Sequence, residues 1–323
     1  AQSSIVSGPQ LSGSEGAGVS GGAEELRDED RNRGQVAGGE AGIRSVQSEE
    51  GLLEQYDTVL KAAGGFDSAV FASLQTKMLL DVARKYYIAP DHSFGDKITC
   101  PGNKCKHAYE QYLAKYIVPI RYQKLKFLEI GLGCNMAYGA GASVRLWPQL
   151  LPNAEIWMAE VSRQCVEAKR AIINEQSGGR VKLLVGDQAN PSVLKDWVDQ
   201  SGGMFDIVVD DGGHTNNQQW VTLTHLWGAV KPGGMLIIED LSESHLPLYG
   251  KIPGGTVPLM IKRIGLLVED LVSYGAPQAS RNNRNAGFSP SPYYELLPNL
   301  KDIDCMPEAC VFTKCSGLEP RCP

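Results

Sequence analysis

Two short stretches hold most of the reactive side chains of this chain: DDGGH, Asp210 to His214, and IIED, Ile237 to Asp240. Each follows an apolar run in strand pattern, and adjacent strand ends would bring Asp211, Glu239 and Asp240 to one place. Three carboxylates gathered there repel one another unless a cation sits among them, and hard oxygen ligands suit a divalent ion such as Mg²⁺. The two glycines before His214 make a tight turn, so the imidazole can lie beside such an ion without being forced to ligate it. A neutral imidazole next to a metal-bound hydroxyl can take its proton, and the metal makes that proton easier to remove. A solitary loop histidine is more often simply hydrogen-bonded; the neighbouring acids favour the general base for His214. His225, within THLW, has a helical context that suits packing, and His245 is open to either a structural or a substrate-contacting role.

The second feature is FLEIGLGCN, Phe127 to Asn135, a strand running into a Gly-x-Gly turn. Gly131 and Gly133 allow a sharp turn and a close backbone approach to a ligand, and Asn135 lies in the same turn. Such a pair of glycines often marks only a tight turn. Glu129 sharpens the reading, because a carboxylate there repels a pyrophosphate and suits an ammonium or sulfonium charge. Met136 takes the place of the third glycine of a dinucleotide fingerprint. Glu160, closing EIWMAE, is placed to accept hydrogen bonds from ribose hydroxyls, a role common to nicotinamide and S-adenosylmethionine sites. Asp187 and Gln188 suit an adenine, with a helix cap ahead of the segment from Asn190 as the alternative. Asp210 completes an acidic row at the strand ends, facing the crevice where an open α/β sheet binds its ligand.

The elements that must hold these residues alternate. Strands end at Glu129, Glu160, Asp187, Asp211 and Asp240, with helical segments such as Val161 to Asn174 between them, as a doubly wound, Rossmann-like parallel sheet requires. A helix is expected over Leu259 to Tyr274, and then KDIDCM and ACVFTKC sit too close for a crossover helix, so they should pair as an antiparallel hairpin. Ahead of the sheet, the spacing of Leu52, Leu53, Tyr56, Val59 and Leu60, and then of Val70, Phe71, Leu74, Met78 and Val82, predicts two cover helices. The second should run from Ser68 to Tyr87. Residues 1–50 carry few large apolar side chains and read as a disordered stalk or linker. The expected division is 1–50 stalk, 51–120 helices and loop capping the core, and 121–323 the catalytic sheet with a cysteine-rich tail.

Together FLEIGLG, VGDQ, DDGGH and KPGGMLIIEDL (Lys231 to Leu241) resemble class I S-adenosylmethionine-dependent methyltransferases. Within them the chain is similar to the metal-dependent sugar O-methyltransferases related to macrolide-sugar enzymes and the cephalosporin-hydroxylase-like group, over roughly Gly95 to Lys314. The resemblance implies Asp211, Glu239 and Asp240 as metal ligands, His214 as base, and Glu129, Gly131, Glu160, Asp187 and Gln188 in the cofactor segments. GDK and HAY, Gly95 to Lys97 and His107 to Tyr109, resemble a further family stretch near the active site. The chain departs at Gly212 and Gly213, where the family often has a serine, and at Cys134 and Asn135, where it often has another glycine. Those departures bear on the acceptor rather than the reaction.

The net charge of -6 and the lack of any contiguous basic stretch argue against a nucleic-acid partner. No apolar run approaches the roughly 18 residues of a membrane span, so any membrane attachment would come through an anchor removed ahead of Ala1. Of eight cysteines, Cys134 and Cys165 lie in the sheet region, Cys100 and Cys105 share a loop, and Cys305, Cys310, Cys315 and Cys322 crowd the end. Even-numbered surface clusters suggest disulfides, hence the secretory lumen, such as the Golgi, or the extracellular space. A zinc site is the rival, and no CxxC supports it. The expectation is a luminal, Mg²⁺-dependent enzyme moving the methyl of S-adenosylmethionine to a hydroxyl of a saccharide or glycan. A nicotinamide-dependent oxidoreductase would share the glycine turn and Glu160 but leave the acids unexplained; a non-catalytic lumen protein would need no metal site. The segment from Arg281 to Tyr294 could bind the acceptor, and the helices ahead of the sheet could pack between subunits of a homo-oligomer.

Overall fold

A computed structural model of the chain describes residues 58, 68–86, 97, 107–136, 140–252, 255–274 and 293–319. The expected stalk, the helix expected from Leu52 apart from Thr58, Cys100, Cys105, Cys322 and residues 281–292 of the expected acceptor segment lie outside those residues. Chain contacts separate Ala1–Ser45 from Val46–Pro323, and every described residue belongs to the latter.

The first described helix, α1 (Ser68–Tyr86), matches the predicted bounds to one residue. Its buried side chains include Met78, Leu79, Val82 and Ala83. Helical turns over 110–120 follow and lead into β1 (Lys126–Ile130). From there strand and helix alternate: α2 (Ala142–Leu150), β2 (Glu155–Glu160), α3 (Arg163–Gln176), β3 (Val181–Val185), α4 (Pro191–Ser201), β4 (Phe205–Asp210), α5 (Asn216–Leu226) and β5 (Val230–Ile238). A small ribbon, β6 (Lys251–Ile252) with β7 (Gly255–Thr256), precedes α6 (Met260–Tyr274), and β8 (Leu300–Met306) and β9 (Ala309–Lys314) close the described chain. The main sheet runs β3-β2-β1-β4-β5-β9-β8. Its first five strands are parallel and the final hairpin antiparallel, as expected from the sequence.

The strand order reverses between β1 and β4, and at such a switch point the loops part and leave a crevice at the carboxyl ends of the strands. Local chemistry fixes where the helices beside it begin. Ser162 caps α3, Asn190 caps α4 with Pro191 in its first turn, and Thr215 with Gln218 forms a capping box for α5. Strand alternation then sorts the faces. Leu128 and Ile130 join one large apolar cluster with Leu194 and Trp197 of α4, Leu223 and Leu226 of α5, and Met260 and Ile264 of α6. Phe127 turns to the other face, where its ring meets Trp147 of α2 with centroids 4.5 Å apart. Among the described residues no helix is long and apolar enough to cross a membrane.

β1 runs one residue past the expected Glu129, and β4 and β5 stop short of the expected Asp211 and Asp240, at Asp210 and Ile238; two larger differences have physical reasons. β3 stops at Val185 because Gly186 turns away with φ 144°, which leaves Asp187 on the loop. β5 begins at Val230 rather than Gly234: Val230 pairs with Phe205 and Met235 with Ile207, so the KPGG residues bulge out of the ladder. Disulfides join Cys134 to Cys165 and Cys305 to Cys310, and Cys315 is disulfide-bonded as well. The first of these bonds joins two cysteines that the sequence places apart from the paired clusters, because β1 and β2 are neighbours and bring the glycine turn beside the first turn of α3.

Candidate active site

A cleft of about 470 Å³ opens at the carboxyl ends of β1, β2 and β4. One half of it is made of backbone. Gly131 donates its N–H to the Ala159 carbonyl (2.9 Å), and Asp211 donates to the Ile130 carbonyl (2.9 Å). A Cβ on Gly131 would lie 1.9 Å from the Asp211 carbonyl oxygen, and its φ is +105°. This glycine is therefore required by the main chain that follows β4, whereas the sequence suggested the approach of a ligand. Gly133, Cys134 and Asn135 form the adjoining wall. Glu160 ties that wall to the next helix: one carboxylate oxygen accepts from the Leu132 N–H (3.3 Å) and the other from the Ser162 N–H (2.9 Å). The Cys134–Cys165 bond joins the same two elements covalently. Asp187 stands exposed on the rim, bracing the loop through the Ala189 N–H (2.8 Å).

Three expected cofactor contacts are placed differently. Gln188 touches the cleft wall, but its amide is committed inward, donating to Asp210 (2.8 Å) and Thr222 (3.0 Å) and accepting from the Gly213 N–H (2.9 Å). A Cβ on Gly212 would lie 1.8 Å from the Gln188 Oε1, and one on Gly213 would lie 2.2 Å from the Gln218 Nε2, so the first glycine of DDGGH makes room for Gln188 and the second for the capping Gln218. Asp210 lies behind the cleft at 1% exposure, and burial pushes its carboxyl up. Glu129 is likewise fully buried on the α2 side of β1, because it shares the face of Phe127, and does not line the cleft. Burial raises its carboxyl to about 7, against the pull of a nearby ammonium.

The other half of the cleft is made of side chains. Asp211, His214 and Asp240 each present a ligand atom within 4.8 Å of the others. His214 Nε2 lies 3.3 Å from Asp240 Oδ2, and its Nδ1 is buried without a partner. His214 and Asp240 both have φ 55°, a left-handed backbone costly for residues with a Cβ, and Glu308 beside them has φ 66°. Glu239, expected as the third acid, is not brought into this cluster. The strand alternation turns it inward, where it accepts from Tyr112 Oη and Lys97 Nζ while its backbone carbonyl accepts from Gln219 (2.9 Å). Lys97 also lies 2.6 Å from Asp211 Oδ2 and 3.4 Å from Glu129 Oε1. Burial pushes the Lys97 ammonium down, but Asp211, Glu239 and Glu129 outweigh it and hold its pKa well above the ordinary lysine value. Burial likewise raises the Glu239 carboxyl well above the usual range.

The residues that support this half come from ahead of the sheet. Tyr109 donates to Asp240 Oδ1 (3.2 Å) and accepts from the Asp240 N–H (2.9 Å). His107 stacks on Tyr109 and reaches Asp240 with one nitrogen (3.3 Å) and Glu308 with the other (2.6 Å). Burial pushes the Tyr109 and Tyr112 phenols up. The GDK and HAY stretches were the sequence signal for Lys97, His107 and Tyr109; Tyr112 carried none.

No protein-family model matches the chain. It is 26% identical over 219 residues to mycinamicin VI 2''-O-methyltransferase of Micromonospora griseorubida, covering 65% of this chain and 49% of that protein. It is 28% identical over 184 residues to demethylmacrocin O-methyltransferase of Streptomyces fradiae, covering 56% and 42%. With 8-demethyl-8-(2-methoxy-alpha-L-rhamnosyl)-tetracenomycin-C 3'-O-methyltransferase of Streptomyces olivaceus the identity is 31% over 144 residues, covering 44% and 33%. The chain thus spans half or less of the length of these relatives. Among solved structures, the MycE methyltransferase of the mycinamycin biosynthetic pathway, in complex with Mg and SAH, superposes with a TM-score of 0.56 at 22% identity, covering 83% of this chain and 62% of that one. That likeness is one of fold, and the fold is a Rossmann-like methyltransferase sheet. The similarity to sugar O-methyltransferases read from the sequence is found again in these relatives.

Proposed function

We propose that the chain is an S-adenosylmethionine-dependent, divalent-cation-dependent O-methyltransferase acting on a hydroxyl of a saccharide. The observation that carries the reading is a single cavity that joins the glycine turn and Glu160 at one end to Asp211, His214 and Asp240 at the other. The cation reading suits the donor set: two carboxylates and an imidazole converge, and a buried imidazole nitrogen has no partner. Asp211 and Asp240 would hold the ion, with His214 beside it. When bound, S-adenosylmethionine supplies an electrophilic methyl and the cation lowers the pKa of an acceptor hydroxyl.

The chain's own residues do the rest. The glycine turn and Glu160 form a wall that fixes a ligand's position relative to the acids, so that acceptor and methyl donor meet in line. Glu160, with one backbone bond on each carboxylate oxygen, and Asp187, with one backbone bond in all, keep acceptor capacity for ribose and adenine. His214, held beside Asp240 at Nε2, is the imidazole of the cleft placed to take the acceptor's proton. The saccharide acceptor is supported by the relative from Streptomyces olivaceus, whose name specifies a rhamnosyl group and a 3'-O-methyl transfer. The disulfides support residence in an oxidising compartment such as the secretory lumen or the extracellular space.

The test is calorimetric titration with S-adenosylhomocysteine, with and without Mg²⁺, followed by methyl transfer to a panel of glycosides before and after EDTA. Binding, and turnover that EDTA removes and Mg²⁺ restores, is the expected result. A folded sample that binds no S-adenosylhomocysteine but takes up NADH would replace this reading with the oxidoreductase.

A further inference from the structure

Lys97 is 1% exposed and lies among three carboxylates, two of which, Glu129 and Glu239, are wholly buried and outside the cleft. Only the third, Asp211, is partly open, and it alone belongs also to the cluster with His214 and Asp240. The ammonium therefore stands behind the candidate cation site. An ion entering from the cleft meets Asp211, Asp240 and His214 before it meets Lys97. The backbone at Lys97 is held in turn, since its carbonyl accepts from the Tyr109 N–H (2.9 Å), and Tyr109 is the residue whose hydroxyl holds Asp240. Each carboxylate of the cluster is thus steadied from the same segment, Asp211 by Lys97 and Asp240 by Tyr109.

We propose that Lys97 is a positioning residue of the cation site: anchored on Glu129 and Glu239, its ammonium turns the Asp211 carboxylate toward His214 and Asp240 and offsets the charge of the crowded acids so that they receive one divalent ion. This rests on the cation reading given above. A buried ammonium that merely rivalled the ion for Asp211 would act in the opposite sense, and its removal would tighten cation binding.

The experiment is a Mn²⁺ titration followed by electron paramagnetic resonance on the full chain, comparing wild type, Lys97→Met, and Lys97→Met with Glu239→Gln. S-adenosylhomocysteine affinity without metal is measured alongside. Mn²⁺ affinity should fall at least tenfold in Lys97→Met while S-adenosylhomocysteine affinity stays within threefold. A purely structural role would lower the melting temperature and leave the Mn²⁺ affinity of the folded protein intact. Should Lys97→Met fail to fold, the double variant decides, because it replaces the ammonium and one of its acids together. There an affinity at least threefold below wild type supports the proposal, and one equal to wild type overturns it. Lys97→Met binding Mn²⁺ as tightly as wild type, or more tightly, overturns it outright. A wild-type chain that binds no Mn²⁺ would instead remove the cation reading itself.

Discussion

The two ends of the cleft are built by different means. At the donor end the backbone does the work: Gly131 donates its N–H to the Ala159 carbonyl, Leu132 and Ser162 supply N–H groups that Glu160 bridges, and every participant sits at the end of a strand or the start of the next helix. At the acid end side chains hold side chains over long separations, Lys97 on Asp211 and Glu239, Tyr109 and His107 on Asp240. The first kind of site follows from topology alone, since any sheet in this order opens there. The second has to be assembled, and it includes buried charges that are tolerable only in each other's company. Changes at the first end should therefore register in stability and in S-adenosylhomocysteine binding, and changes at the second in cation binding and turnover.

His214→Ala tests the separation most severely. Turnover should fall by about 10²–10⁴, while S-adenosylhomocysteine affinity, measured calorimetrically, stays within about threefold of wild type. Near-normal turnover would dissolve the assignment of base chemistry to that end. Gly131→Ala tests the backbone half, because its new Cβ would collide with the Asp211 carbonyl at an unfavourable φ. A loss of roughly 4 kcal/mol or more in denaturant unfolding is expected; a mild effect would mean that the two strands can part without harm.

Opening the Cys134–Cys165 bond, by replacing both residues with serine, removes a crosslink spanning 31 residues. Stability should drop by roughly 3.5 kcal/mol, with a modest weakening of S-adenosylhomocysteine binding and unchanged Mn²⁺ affinity. A change confined to Mn²⁺ would reverse the comparison. Glu129 gives the smallest signal. Its carboxyl is raised to about 7 from 4.5, so between those pH values the folded chain binds more protons than the unfolded one and stability falls as pH rises. The fall should total up to about 3 kcal/mol, and Glu129→Gln should flatten that part of the stability profile; an unaltered slope would assign it to another group.

The same contrast explains what could be read in advance. The alternation of strand and helix, the terminal hairpin and the position of Glu160 follow from short apolar runs that end in acid and from the spacing between them, and these are local signals. The inward turn of Glu239 is set by a single step of alternation at the end of β5, where the backbone then enters a left-handed conformation at Asp240, and no residue type announces that. Gln188 reads as a ligand contact because it sits on the rim; only its bonds to Asp210, Thr222 and Gly213 reveal that it shapes the DDGGH turn. Tyr112 is invisible in the sequence, since a tyrosine at helical spacing reads as packing and its partner lies 127 positions away.

The placement of Lys97, His107, Tyr109 and Tyr112 has a consequence for modularity. A boundary drawn at residue 121, where the sheet domain is expected to begin, leaves every described strand and the wall of Gly131 and Glu160 on one side and Lys97, His107, Tyr109 and Tyr112, which support the acids, on the other. A chimaera exchanging sheets at that point would inherit donor recognition from one parent and the scaffolding of the reactive end from the other. Those two inheritances would have to match residue by residue, so variation in this protein has to travel across that boundary in pairs.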